Sequence, residues 1–245
     1  MIVLGTAKLT WALLAVLYTG ATRRRKYGGA ARRGGGASPV VDALAKSAPL
    51  MRKCVSGKRV KLDEYCSAVE ALMPAFSAFG RMFDSAARKD VQGNVDKLRR
   101  RCRELKKAEA RAMVLEERDR DPGRTAQPDS AARALFWTNK VMEQIALSFE
   151  NVLERPRDSI TKCAEDAYLR SCAPYNLPMH RTMARLFLRI VPDRAAFLGF
   201  CGAETMDDLA PALRSWVAAS AGSRAALEAL FARDHPDLAP KKGGR

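Results

Sequence analysis

The chain has 245 residues, a formal net charge of +16 and an isoelectric point near 10.0, and 47% of its residues are hydrophobic. That length suits one large domain with a substantial core and leaves little room for a second domain. The charge favours a polyanionic partner, either nucleic acid or an anionic membrane, while six scattered cysteines and only two histidines argue against a zinc site and favour a reducing compartment.

Residues 1–37 combine a hydrophobic segment with a basic one. An apolar run of about ten residues from Leu9 has the length of a signal-peptide core, and counted from Ile2 the segment approaches the ~20 residues that span a bilayer. A secretory or plastid-type leader, a membrane anchor and an over-extended gene model all remain open. The Arg/Gly-rich stretch that follows and the basic tail at 237–245 are expected to be disordered, so we place the folded domain at 38–236.

The composition of that domain, rich in Ala, Leu, Arg and Lys, favours helix, and we predict an all-α fold. Ser38 before Pro39 marks the start of the first helix. A second helix carries apolar residues at intervals of three and four from Val69 to Phe83, with a kink expected at Pro74. A third helix is predicted from about Ser85 to Arg118.

Proline and glycine divide the rest of the domain. After a loop spelled DRDPGRTAQPDS, either Asp129 or Ser130 can cap a long amphipathic helix that Pro156 ends. Shorter helices follow, interrupted at Pro174 and Pro178. Two final helices, TMDDLAPALRSWVAAS and SRAALEALFARD, are predicted to close the domain.

The third helix carries a polar stripe within the segment DVQGNVDK. At about 100° per residue, Asp90, Asn94 and Lys97 share one face, separate from the apolar stripe, and Gly93 borders them. Periodicity alone favours a solvent-exposed face with i,i+4 pairing. The glycine, which costs about 1 kcal/mol relative to alanine inside a helix, favours close approach of a partner. An acid, an amide and a cation suit a sugar or a polar lipid head group better than a bond-breaking reaction.

Five motifs follow one another along the chain: an FxxxF-type helix, D-x-x-x-N-x-x-K, ALFWTNK, AYLRSCAPYN and an amphipathic helix ending in VPDRAAFL. This order resembles the glycolipid transfer protein family, and the resemblance covers roughly Val69 to Gly202. It implies an all-helical, two-layer sandwich of about eight helices, with a lipid pocket between the layers. It also implies a protein that carries a sphingolipid between membranes without catalysis, cofactor or metal.

The resemblance assigns roles to several residues. Asp90, Asn94 and Lys97 match the family's head-group triad, and Trp137 matches the tryptophan that stacks on the first sugar. Lys140 occupies a position where a basic residue often follows.

Two positions depart from the family pattern. Asn176 replaces a histidine that donates to the ceramide carbonyl; its amide can donate the same hydrogen bond but is shorter. Pro178 replaces an aromatic residue. His180, one turn on, is a possible substitute for the missing histidine, although a surface position is the simpler interpretation. Arg133 and Arg101 are further candidate head-group contacts.

The resemblance also bears on the choice of lipid. Branches that bind ceramide-1-phosphate tend to carry arginine where this chain has Trp137, with another arginine near Val141, because phosphate prefers forked cationic donors. We therefore predict a glycosphingolipid, with ceramide-1-phosphate transfer or sensing as the alternative. A basic nucleic-acid-binding protein ranks below both, since the folded region has no recognisable nucleic-acid motif.

The expected partners are a sphingolipid and, transiently, a membrane surface, for a monomeric protein in the cytosol. Trp216 is considered as a residue at the bilayer interface. Three aliphatic side chains and two phenylalanines are expected in the core, and the resemblance makes some of them candidates for lining the lipid pocket: Ile145, Phe149, Leu186, Phe187 and Ile190.

Overall fold

A computed structural model describes residues 38–106, 108–124 and 127–235, so the predicted leader and tail lie outside it. The described chain is helical, as predicted. Its helices are α1 Pro39–Lys53, α2 Leu62–Leu72, α3 Arg81–Leu105, α4 Ala110–Arg120, α5 Ala131–Glu154, α6 Ile160–Ser171, α7 Pro178–Leu188, α8 Arg194–Cys201 and α9 Met206–Asp234. An antiparallel hairpin of β1 Val55–Ser56 and β2 Arg59–Val60 and two short 3-10 segments, Met73–Phe79 and Ala173–Tyr175, complete the described elements.

The predicted helix boundaries at serine and proline are confirmed. The Ser38 hydroxyl accepts a hydrogen bond from the amide of Val40 at 3.3 Å, and proline follows at the first helical position. The Ser130 hydroxyl accepts from the amide of Arg133 at 3.0 Å, so serine, and not the preceding aspartate, caps α5. That helix ends two residues before Pro156, which cannot supply an amide donor to continue it.

The predicted third helix is wrong in its length, because two helices, α3 and α4, occupy that stretch. The break lies at Lys106, whose φ of 50° is left-handed. The chain turns there so that the carbonyl of Ala108 accepts from the amide of Leu62 at 2.8 Å, and Glu109 pairs with Lys61 in an isolated β-bridge. These contacts with the start of α2 are long-range, and helix periodicity carries no sign of them.

The two final helices predicted from the sequence are one helix, α9. Gly222 lies within it and is not a breaker. A methyl group on this glycine would meet the Cγ1 atom of Val55 at 3.2 Å. The glycine therefore lets the β-hairpin pack closely against the middle of α9.

An aromatic cluster fills the centre of the domain. The Phe79 ring stacks on Phe149 with centroids 5.9 Å apart. The Phe197 ring lies at a similar centroid distance from Phe79, and the Trp216 ring lies at a similar centroid distance from Phe149. Trp216 is fully buried, and its indole N–H donates to the hydroxyl of Ser47 at 3.0 Å. The prediction that Trp216 reaches a bilayer interface is therefore wrong.

The core predictions divide between α5 and α7. Ile145 and Phe149 on α5 are buried, as predicted. Leu186 and Ile190 are 39% and 41% exposed, so the prediction that they are core residues is wrong. An apolar stripe identifies which side chains share a helix face, but it does not show whether another element covers that face.

A buried carboxylate fixes α4 to the start of α5. Glu117 on α4 is 1% exposed; it accepts from the Ser130 hydroxyl and, at 2.9 Å, from the amide of Ala131. The Nε atom of Arg101 lies 3.9 Å from the same carboxylate. The negative charge lies where the α5 dipole is positive, so both the hydrogen bonds and the helix dipole stabilise it.

We expect Glu117→Ala to lower the free energy of unfolding by about 2–3 kcal/mol, because the substitution removes the acceptor of the Ala131 amide and of the buried Ser130 hydroxyl. Urea denaturation of the purified protein measures the change. The neighbouring Glu116, which pairs with Arg120 on the surface, supplies the control. Glu116→Ala should cost less than about 0.5 kcal/mol, and equal losses in the two variants would contradict the role of Glu117.

Candidate functional site

The predicted polar stripe lies on an uninterrupted stretch of α3. Asn94 is buried and 9% exposed, whereas Asp90 and Lys97 are partly exposed on either side of it. The Lys97 ammonium donates to the carbonyl of Pro128, just ahead of α5, at 2.8 Å. The stripe therefore lies at the edge of the core, beside the start of α5.

The electrostatic state of Asp90 distinguishes it from an ordinary surface acid. Burial raises the pKa of its carboxyl group to about 6, and the nearby charge of Lys97 only partly offsets that effect. The carboxylate is held partly out of water at the edge of the core. It is thus suited to accept hydrogen bonds from a bound polar group.

The space beside the stripe is open at Gly93. A methyl group added there would have nothing within 4 Å, so packing among the described residues does not require glycine. The prediction that no side chain blocks this position agrees with the geometry.

Trp137 lies at the margin of a second aromatic cluster. The ring of Phe136 has its centroid 5.5 Å from Trp137, 4.9 Å from Tyr175 and 5.3 Å from Phe231. Phe136 is buried, whereas Trp137 is partly exposed. The tryptophan is therefore fixed on one side by an edge-to-face contact and keeps part of its surface accessible.

Lys140 is enclosed by protein groups. It is 3% exposed, and its ammonium donates to the carboxylates of Glu143 at 2.9 Å and Glu228 at 2.7 Å. The ammonium also lies 4.8 Å from the centroid of the Tyr175 ring. Although burial opposes the charged form, the hydrogen bonds to the two glutamates raise the pKa of Lys140. Contact with a head group would require this lysine to leave carboxylates that already balance its charge.

The two arginines predicted as further contacts are also largely enclosed. Arg133 is 7% exposed, and burial lowers the pKa of its guanidinium. Arg101 donates to Glu104 at 3.1 Å and lies near Glu117. Sequence reasoning identified Arg101 and Lys140 but not their acidic neighbours Glu117 and Glu228, because these acids lie on other helices.

Asn176 follows the 3-10 segment between α6 and α7. Its Nδ2 donates to the hydroxyl of Tyr168 at 3.0 Å, and its Oδ1 is buried without a hydrogen-bond partner. Burial raises the pKa of the Cys172 thiol to about 12. The ring of Tyr175, the residue before Asn176, lies 4.9 Å from the Phe136 ring, so the α6–α7 junction packs against α5.

His180 lies in the first turn of α7 and is 7% exposed, so the prediction of a surface histidine is wrong. Within the described ranges, no group of three or more acidic, histidine or cysteine side chains could hold a metal ion. Of the helices that the structure describes, none is both long and apolar enough to cross a membrane.

A family model described as Glycolipid transfer protein (GLTP) matches residues 60–203, the segment that contains α3, α5 and the α6–α7 junction. The chain belongs to the glycolipid transfer protein family. Membership accounts for the order of the motifs along α3 and α5 and confirms the predicted fold class. Comparison with curated protein sequences returns no match.

Solved structures of the glycolipid transfer protein fold superpose on most of the chain. Human ceramide-1-phosphate transfer protein in complex with 2:0 ceramide-1-phosphate gives a TM-score of 0.70 at 19% identity, covering 84% of this chain and 100% of that one. A mutant of Arabidopsis ACD11 complexed with C12 ceramide-1-phosphate gives 0.69 at 21% identity, covering 80% and 98%. The fungal glycolipid transfer protein HET-C2 gives 0.61 at 17% identity, covering 73% and 89%.

The raised pKa of Asp90 predicts how the stability of this glycolipid transfer protein family member depends on pH. The folded-state pKa near 6 exceeds the unfolded value near 4, so the contribution of Asp90 is fully present below about pH 4 and is lost as the pH rises through 6. Relative to Asp90→Asn, the wild type should lose up to about 3 kcal/mol between pH 4 and pH 8.

Urea denaturation across that range measures the difference. Asp96→Asn, an exposed acid on the same helix, is the control and should follow the wild type at every pH. Parallel curves for the wild type and Asp90→Asn would contradict a buried carboxyl at this position.

Proposed function

We propose that this protein transfers a sphingolipid between membranes and that Asp90, Asn94 and Lys97 bind its polar head group. The observation that supports this proposal best is the partly buried carboxylate of Asp90. Keeping an acid out of water is unfavourable, and a bound group that donates hydrogen bonds to it offsets that cost. Membership of the glycolipid transfer protein family supports lipid transfer in preference to catalysis.

A glycosphingolipid fits the neighbouring charges better than a phosphate does. The charge of Lys140 is balanced by Glu143 and Glu228. The start of α5, where a helix binds anions, is occupied by Glu117. Trp137 keeps an accessible surface on which a sugar ring can stack.

Ceramide-1-phosphate is the second candidate head group. The human and Arabidopsis structures similar to this chain contain that lipid. Arg133 is a buried guanidinium close to the start of α5, and a guanidinium is the forked donor that a phosphate prefers.

We expect Asp90→Val to lower the rate at which a fluorescent hexosylceramide moves between vesicles by about tenfold or more, because the head group loses its principal acceptor. Asp96→Val, on the exposed face of α3, should transfer at the wild-type rate.

Repeating the assay with ceramide-1-phosphate separates the two head groups. Faster transfer of ceramide-1-phosphate than of hexosylceramide would reverse the proposed preference for a glycosphingolipid. Undiminished transfer of both lipids by a folded Asp90→Val variant would remove Asp90 from the site.

We further propose that α7 and its flanks contact the membrane during transfer. Most of the large, exposed apolar side chains in the described ranges fall between residues 169 and 190: Leu169, Leu177, Met179, Leu186 and Ile190. Exposed arginines lie among them, at Arg170, Arg185 and Arg189. Apolar side chains interleaved with cations suit insertion at an anionic bilayer surface.

Met179 is 61% exposed, so a substitution there tests whether this surface binds membranes. Met179→Asp should weaken binding to phosphatidylserine-containing vesicles by about tenfold, since a charge replaces a side chain that would enter the bilayer. Vesicle co-sedimentation measures the binding. Phe200→Asp places the same charge at an exposed apolar position on α8 and should bind as the wild type does. Equal loss in both variants would count against α7.

A further inference from the structure

Two buried polar atoms at the α6–α7 junction have no hydrogen-bond partner: Oδ1 of Asn176 and Nε2 of His180. A buried polar atom left unpaired costs about 1–3 kcal/mol, and most such atoms in folded proteins are paired. These two atoms belong to residues only four positions apart in the chain, and a group outside the protein would complete their hydrogen bonding.

The surroundings hold these side chains in place. The Nδ2 atom of Asn176 donates to Tyr168, and its backbone carbonyl accepts from Nε of Arg181 at 2.9 Å. His180 is more than nine-tenths buried in the first turn of α7. To reach bulk water, Asn176 would have to break its hydrogen bonds and His180 would have to leave its buried position.

The junction packs against α5 beside Trp137. The ring of Tyr175, the residue before Asn176, lies 4.9 Å from the Phe136 ring, and the Phe136 ring lies 5.5 Å from that of Trp137. The Sγ atom of Cys172 is 3.5 Å from the carbonyl of Lys140, which is also on α5. A lipid whose head group stacks on Trp137 would bring its next segment to the junction.

A hydroxyl group satisfies either atom in every arrangement. The asparagine amide presents an acceptor or, after a flip, a donor, and a neutral histidine presents either at Nε2 according to its tautomer. A hydroxyl both donates and accepts, so it pairs with either side chain in either state. An alkyl chain pairs with neither.

We propose that Asn176 and His180 bind hydroxyl groups beside the ceramide amide and so select a lipid with a hydroxylated ceramide backbone. This inference rests on the proposed function. A sphingoid base carries one hydroxyl next to the amide, and we assign it to Asn176. A 2-hydroxy acyl chain places a second hydroxyl directly beside the amide carbonyl, and we assign that one to His180.

The test compares two hexosylceramides with acyl chains of the same length, one of them 2-hydroxylated. The wild type should bind the hydroxylated lipid about fivefold more tightly, the value of one neutral hydrogen bond. In His180→Phe the ratio of the two affinities should fall to about one. His235→Phe, which changes the other histidine at the far end of α9, should keep the wild-type ratio.

The outcomes separate the two proposals. Equal affinity of the wild type for both lipids overturns the selection of hydroxyl groups, and a preference that survives in folded His180→Phe overturns the part of His180. Failure of the wild type to bind either hexosylceramide would instead contradict the proposed function. Should His180→Phe not fold, His180→Met removes the ring nitrogens with an unbranched side chain that adapts to irregular space.

Discussion

The placement of α5 determines the rest of this structure. It packs against α3, α4, α6 and α9, and it carries residues of both aromatic clusters and of the candidate site. Glu117 fixes its first turn through two hydrogen bonds, and Glu228 of α9 holds Lys140 two turns further on. These two acids connect α5 to α4 and α9, so the partly exposed face of Trp137 has a defined position beside α3.

Local chemistry allowed much of the fold to be predicted. Ser38 and Ser130 before apolar repeats marked helix starts, and Pro156 marked an end, because caps and proline act within one turn of the residue concerned. The errors came where distant segments meet. The left-handed Lys106 depends on hydrogen bonds to the start of α2, and Gly222 lies inside a helix because the β-hairpin packs against it.

The candidate site divides in the same way. The spacing of Asp90, Asn94 and Lys97 could be read from the sequence, since a single helix places them. The pairing of Lys140 with two glutamates could not be read from the sequence, because one of those glutamates lies 88 residues away. Nor could the unpaired atoms of Asn176 and His180, which depend on what surrounds them in three dimensions. The roles of these side chains in binding remain proposals.

The ion pair between Lys140 and Glu228 cannot form until α9 has been synthesised. Glu228 lies beyond residue 203, where the family match ends, and α9 follows the other described helices in the chain. Until that helix docks, Lys140 has only Glu143 to balance its charge, and the aromatic cluster lacks Phe231. A nascent chain that ends before α9 already contains α3, the α6–α7 junction and every residue of the proposed site, but its Lys140 and Phe136 still lack their partners on α9.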